Sequence, residues 1–294
     1  MATIGGSDNF GLFLNGDFRD GNLGQFNFGT FNKEESFNGK GCVVVTGGGG
    51  SSFLGSQFVE VDTTQKYQLI MYAKTIQRGS DGNLAGGHLG FACYDKNKQF
   101  VDLRNCKGIG DTTLTRAATP GDTSIYVANA SGWSTSTATH QRAFILFGGI
   151  YPYSEGYSRY RVSSNFYPQN GLTNLGNGEW KIDLNNPLPT WSGALNSGVY
   201  PIGTYVSNGR AGGTYNYALG APNYPESWTR YSTAPFTGEN RNSGVPFRYG
   251  TKYVKFMVLR NYNRRLVSPQ DHQWALDRIF FGKCLDNKDY RNSL

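Results

Sequence analysis

Charged side chains are scarce in this chain: Asp, Glu, Lys and Arg together make up 17 % of its 294 residues. A helical bundle or coiled coil needs long stretches of Ala, Leu, Glu and Lys, and neither such stretches nor heptads occur. No apolar run approaches the ~18 residues that cross a membrane as a helix. Residues 1–20 have no basic start followed by an apolar stretch, so no secretory leader is expected. There are only four cysteines. None of them forms C-x-x-C or sits beside a histidine pair at zinc-ligand spacing, which argues against a structural zinc. A chain of this length can also build a core without disulfide staples.

Catalytic constellations are missing too. His88, His140 and His272 stand in unrelated contexts, and no Gly-x-Ser-x-Gly elbow occurs. The Gly47–Ser52 run lacks the Gly-Lys-Ser/Thr ending of a phosphate loop. Asp102, Asp111, Glu155, Glu179 and Asp183 are available as carboxylates, but no spacing singles out a glycosidase pair. No repeat of 20–50 residues points to a β-helical depolymerase. The chain reads as a protein that is not an enzyme.

What is present is glycine at 40 positions, 19 Phe, 19 Tyr and 26 Asn, in a chain that is 38 % hydrophobic. That mixture predicts a soluble, all-β protein with many turns rather than a disordered one. Asn15-Gly16-Asp17 is a turn signal, and Asp95–Lys98 reads as a hairpin turn between two strands. Strands are predicted at Val43–Thr46, Phe58–Val61, Tyr67–Ala73, His88–Tyr94, Gln99–Leu103, Trp228–Tyr231, Tyr253–Leu259 and Trp274–Phe281. In Tyr253–Leu259, Val254, Phe256 and Val258 alternate with Lys255 and Met257, the pattern of a half-buried antiparallel strand. Cys42 and Cys93 read as small buried strand residues, and pairing of Cys106 stays open.

Between 109 and 206 the texture changes to Ser, Thr, Asn and Tyr, with strands Thr112–Thr115 and Thr123–Val127 around a Pro120-Gly121 turn. The expected organisation is a discontinuous jelly-roll sandwich, 1–108 plus 207–294, interrupted by an inserted β-rich module at 109–206.

The net charge of +7 is uneven: residues 206–294 hold thirteen basic and six acidic side chains, while the rest of the chain is balanced. Lys252, Lys255, Arg260, Arg264 and Arg265 are the docking candidates for an acidic surface; the alternative is a solvated face. No recognition helix or RNA-binding motif accompanies them, so nucleic acid is not expected as a partner.

The opening Asn15–Gly21, the strand Tyr67–Lys74, the Val254–Val258 core and the Asp277–Phe280 segment occur in the order seen in jelly-roll carbohydrate-binding modules, and the outer thirds of the chain resemble that galactose-binding-like family. The resemblance implies a structural calcium held near the opening turn and the last strand, which maps to Asp17 and Asp277; oxygen ligands suit calcium. The family's Glu is Arg19 here, and Asp17 capping its own turn is the alternative. Thr112–Thr115, Pro120–Val127 and Gly132-Trp133 resemble a module of tail fibres and other virion proteins of tailed bacteriophages, marine and cyanobacterial phages in particular. Gly203–Val206 and Gly212–Tyr217 share that style.

Sugar recognition stacks aromatic rings on pyranose C–H faces beside polar hydrogen-bonding groups. Trp133, Tyr151, Tyr153, Tyr157, Tyr160, Trp180 and Trp191 are the glycan-binding candidates, with core packing as the competing role for each. Together these features predict a non-enzymatic virion structural protein, an accessory subunit on capsid or tail fibre. Its expected partners are other virion proteins and host surface polysaccharide, and several copies or a homo-oligomer are expected. A soluble or cell-surface lectin-like protein is the alternative.

Overall fold

The computed structural model describes residues 12–13, 16–37, 39–47, 52–101, 111–147, 161–189, 199–208, 216–219, 223–240, 244–260 and 271–284. Among them the chain is built from strands, with one short 3-10 turn at Thr139–Arg142. In chain order the strands are β1 (Thr30–Asn32), β2 (Cys42–Thr46), β3 (Ser52–Leu54), β4 (Val59–Glu60), β5 (Tyr67–Gln77), β6 (Gly87–Tyr94), β7 (Asp111–Thr113), β8 (Ser124–Val127), β9 (Ala143–Phe147) and β10 (Arg161–Phe166). There follow β11 (Leu172–Gly176), β12 (Glu179–Asp183), β13 (Tyr205–Ser207), β14 (Asn216–Leu219), β15 (Thr229–Ser232), β16 (Glu239–Asn240), β17 (Phe247–Arg248), β18 (Tyr253–Arg260) and β19 (Gln273–Lys283). The predicted all-β class is what the structure shows.

The chain divides into two compact units: residues 1–100, 215–247 and 251–294 in one, 101–214 and 248–250 in the other. The first is a sandwich. One antiparallel sheet runs β1-β2-β19-β5-β15, the other β14-β6-β18-β3 with β4 also paired to β18. Between them lies a core dense in phenylalanine. Phe281 of the first sheet stands 5.9 Å from Phe91 of the second, and Phe13 bridges the two at 5.1 Å from Phe281 and 5.6 Å from Phe256. Aromatic pairs in offset and edge-on arrangements supply area and some orientation energy to this core.

Strand positions follow the period-2 pattern where one face is open, and depart from it where both are covered. On β18 Val254, Phe256 and Val258 are buried as predicted, but Met257, expected on the solvated side, is buried too. Cys42 and Cys93 are buried strand residues, and neither is in a disulfide. The Asp95 turn holds: Asp95 N–H donates to the Gln99 carbonyl at 2.9 Å, and its Oδ1 accepts from Asn97 and Gln99 N–H. Beyond it Phe100 forms a bridge with Tyr94, and residues 102–103 of the predicted strand lie outside the described residues.

The second unit has a four-stranded sheet, β10-β9-β13-β7, and a three-stranded one, β11-β12-β8. Its own core gathers Leu114, Ile125, Val127, Trp133, Phe144, Leu146, Tyr167, Ile182 and Val206.

Candidate functional site

The outer face of the β1-β2-β19-β5-β15 sheet carries the candidate site. On β5 the side chains of Tyr72 and Lys74 alternate with buried Ala73 and Thr75. Tyr72 lies directly opposite Asp277 of β19 on one side and Arg230 of β15 on the other. Residues opposed in this way share a sheet face.

The loop joining β1 to β2 crosses this face and brings Phe37 onto it. The Phe37 N–H donates to Asp277 Oδ2 at 2.8 Å, and its ring stacks on Tyr72 with centroids 4.2 Å apart and planes 23° apart. Trp228, just before β15, meets Phe37 edge-on at 6.0 Å. Phe37 remains 39 % exposed, one of three large hydrophobic side chains open to solvent among the described residues. Cations line the rings. Lys74 Nζ lies 5.3 Å over Trp228 and bonds Glu35 at 2.6 Å; Arg278 Cζ lies 5.3 Å over Phe37.

A β-bulge makes this geometry. The register of β19 against β5 shifts between Asp277 and Phe280, and Arg278 takes a left-handed φ of 48°. An extra residue at a bulge re-aims its neighbours. Arg278 N–H donates to Asp277 Oδ1 at 2.6 Å, while Ile279 N–H donates to the Gly16 carbonyl at 2.7 Å and lashes the opening turn alongside. Burial pushes the Asp277 carboxyl up to about 6 against the pull of those two N–H groups and the Arg278 charge; the negative charge of Asp17 adds to the rise. Burial also acts upward on Asp17, but the hydrogen bond and charge of Arg19 and the charge of Lys40 win and hold it below the usual carboxylate range.

The structure thus brings Asp17 and Asp277 into one electrostatic neighbourhood, yet the residues there do not fit calcium. Asp17 Oδ2 accepts from Arg19 Nε at 2.8 Å and Nη2 at 2.6 Å, with Lys40 Nζ at 3.6 Å. Both Asp277 oxygens accept backbone N–H groups. A guanidinium and an ammonium hold Asp17 Oδ2, its buried Oδ1 accepts no hydrogen bond among the described residues, and no group of three or more acidic, His or Cys side chains comes together among them.

Three of the five docking candidates are described, and two of them, Lys255 and Arg260, lie on opposite sides of β18. Lys252 pairs with Glu60 at 3.0 Å. Lys255 lies 4.3 Å over Phe58, beside Lys98 at 5.2 Å from the same ring. Arg260 sits at odd-against-even register from Lys255 on β18, hence on the opposite side, 4.9 Å over Phe53, and burial lowers its pKa. Arg264 and Arg265 lie outside the described residues. Of the glycan candidates, Trp133 is 4 % exposed and stacks with Phe144 at 6.1 Å. Trp180 packs half-buried against the same core. Tyr151, Tyr153, Tyr157, Tyr160 and Trp191 lie outside the described residues.

Sequence reasoning passed over Phe37, Tyr72, Trp228, Arg230 and Arg278. One signal was present: Phe37 is a lone aromatic in the polar stretch Lys33–Asn38, where a loop needs no ring for a core. No family model, curated protein or solved structure matches the chain.

Proposed function

We propose that this chain is a non-catalytic carbohydrate-binding protein whose sandwich presents the Phe37–Tyr72–Trp228 surface to sugar. The observation that carries the reading is an aromatic stack kept open to solvent yet fixed by the Phe37 N–H bond to Asp277. Flat rings held in place beside hydrogen-bonding side chains are the means by which pyranose rings are recognised at low entropic cost. The Asp17 and Asp277 carboxylates are engaged in internal hydrogen bonds, which favours a positioning role for them over proton transfer.

The setting we propose is an accessory subunit displayed on a tailed-phage particle. Support for it is the resemblance of Thr112–Val127 and Gly132-Trp133 to virion modules, and the cationic excess of residues 206–294, which suits an acidic particle surface. Many displayed copies would convert weak sugar contacts into firm attachment.

The binding reading is tested by screening intact protein on a glycan panel beside Phe37→Ala and Trp228→Ala. Retention lost in both variants, with melting behaviour kept, supports it; silence of the wild type overturns it. Immunogold labelling of purified particles tests the setting, and absence of label returns the chain to a free lectin-like role.

A further inference from the structure

We infer that the sugar taken by the Phe37–Tyr72–Trp228 face is an acidic saccharide, bearing carboxylate or sulfate groups that Arg278 and Arg230 receive. This deepens the carbohydrate-binding reading above and rests on it. The argument is one of charge placed and charge spent. Glu35 neutralises Lys74 at 2.6 Å, and Asp17 is taken by Arg19 with Lys40 alongside. Asp277 has both oxygens filled by backbone N–H groups. Two guanidinium groups are left over. Arg278 lies over the Phe37 ring, and Arg230 has only the Ser232 hydroxyl, at 3.2 Å, as a hydrogen-bond partner. Nε of Arg278 and Nε and Nη2 of Arg230 have no acceptor among the described residues.

Buried guanidinium N–H groups without an acceptor are costly, and a turn of either side chain toward an anion at the face would satisfy them. A guanidinium offers a planar fork that matches carboxylate or sulfate in two-point contact. Both arginines border the aromatic stack: Arg230 is directly opposite Tyr72, and Arg278 covers Phe37. A ring resting on the aromatics therefore places its substituents within reach of cations on two sides. Arg278 is held by the bulge backbone and by the ring beneath it, so little side-chain freedom remains to be lost on binding.

The test is calorimetric titration of the intact chain with three probes of equal length: an oligogalacturonide, its neutral galacto-oligosaccharide counterpart and a sulfated galacto-oligosaccharide. A single-stranded oligonucleotide serves as a polyanion without pyranose stacking. The acidic sugars are expected to bind about tenfold or more tighter than the neutral one. Arg278→Gln and Arg230→Gln are expected to lower the affinity for the acidic sugars several-fold more than that for the neutral one, so that most of the preference is lost. Phe37→Ala is expected to lower all sugars alike. Stronger response to the carboxylate or to the sulfate probe tells which anion the fork prefers. Equal affinity for neutral and acidic sugars overturns this inference but leaves the carbohydrate reading standing. No sugar binding at all overturns both. Equal binding of the oligonucleotide, unaffected by Phe37→Ala, reduces the face to general cation attraction and overturns the inference as well.

Discussion

Asp277 is the residue on which this face turns, and its titration has a definite sign. Its ordinary value of 3.8 is raised to about 6 in the fold, so between those values the folded chain binds the proton more tightly than the unfolded chain does. The stabilisation that protonation of Asp277 provides is complete below about pH 4 and is lost as pH rises through 6, a swing of roughly 3 kcal/mol. Asp17, held low, works the other way: it adds stability above its unfolded value and loses it only in stronger acid. Melting temperatures of wild type and Asp277→Asn should therefore diverge in the variant's favour between pH 4 and pH 7. A difference that does not change with pH would show that Asp277 does not titrate there. The charged neighbours, Arg278 and Asp17, are retained in both proteins. Burial, with the nearby Asp277 charge, pushes the Cys42 thiol up to about 12. Cys42 and Cys93 should resist thiol reagents in the native protein and react only on unfolding.

At the scale of the element, β6 depends on a glycine for reasons no propensity scale carries. A methyl at Gly90 would run into the Asn216 carbonyl oxygen of β14, so the two strands approach more closely than any side chain allows. Gly90→Ala should cost about 1–3 kcal/mol and strip hydrogen-exchange protection from Asn216–Leu219, while β5 and β19 keep theirs. The main sandwich strands were legible in the chain: Cys42–Thr46, Tyr67–Gln77, Gly87–Tyr94, Tyr253–Arg260 and Gln273–Lys283 each contain a run of aromatic and β-branched residues. Their neighbours were not. β19 inserts between β2 and β5, some 200 residues earlier in the chain, and that insertion buries Trp274 through Asp277 on both faces. Local alternation contains no information about so distant a pairing, so the bulge at Arg278 and the burial of Met257 were equally out of reach.

For the whole molecule, the two units have separate cores, and substitutions should respect that. Trp133→Ala opens a cavity in the core of the unit spanning 101–214 and should cost about 3–5 kcal/mol there. Hydrogen exchange would check it: β8, β9 and β12 should lose protection while β5, β18 and β19 retain theirs. Trp133→Phe, which keeps the core filled, should leave sugar binding unchanged if the ligand face is the sandwich. Loss of sugar binding in that variant would move the site to the small module.

The sequence by itself determined the class of the fold, the place of its longer sandwich strands and the burial of Cys42 and Cys93. Those properties are local: two-residue alternation, turn chemistry and composition act within a few residues of where they are written. The tertiary structure decided which aromatics fill cores and which stay open. Trp133 and Phe37 are both aromatic side chains outside the strands, but one meets Phe144 and Tyr167 across a closing module, while the other is hung over Tyr72 by a backbone bond to Asp277. The difference arises from contacts between segments as much as 240 residues apart, and only chain closure brings those together.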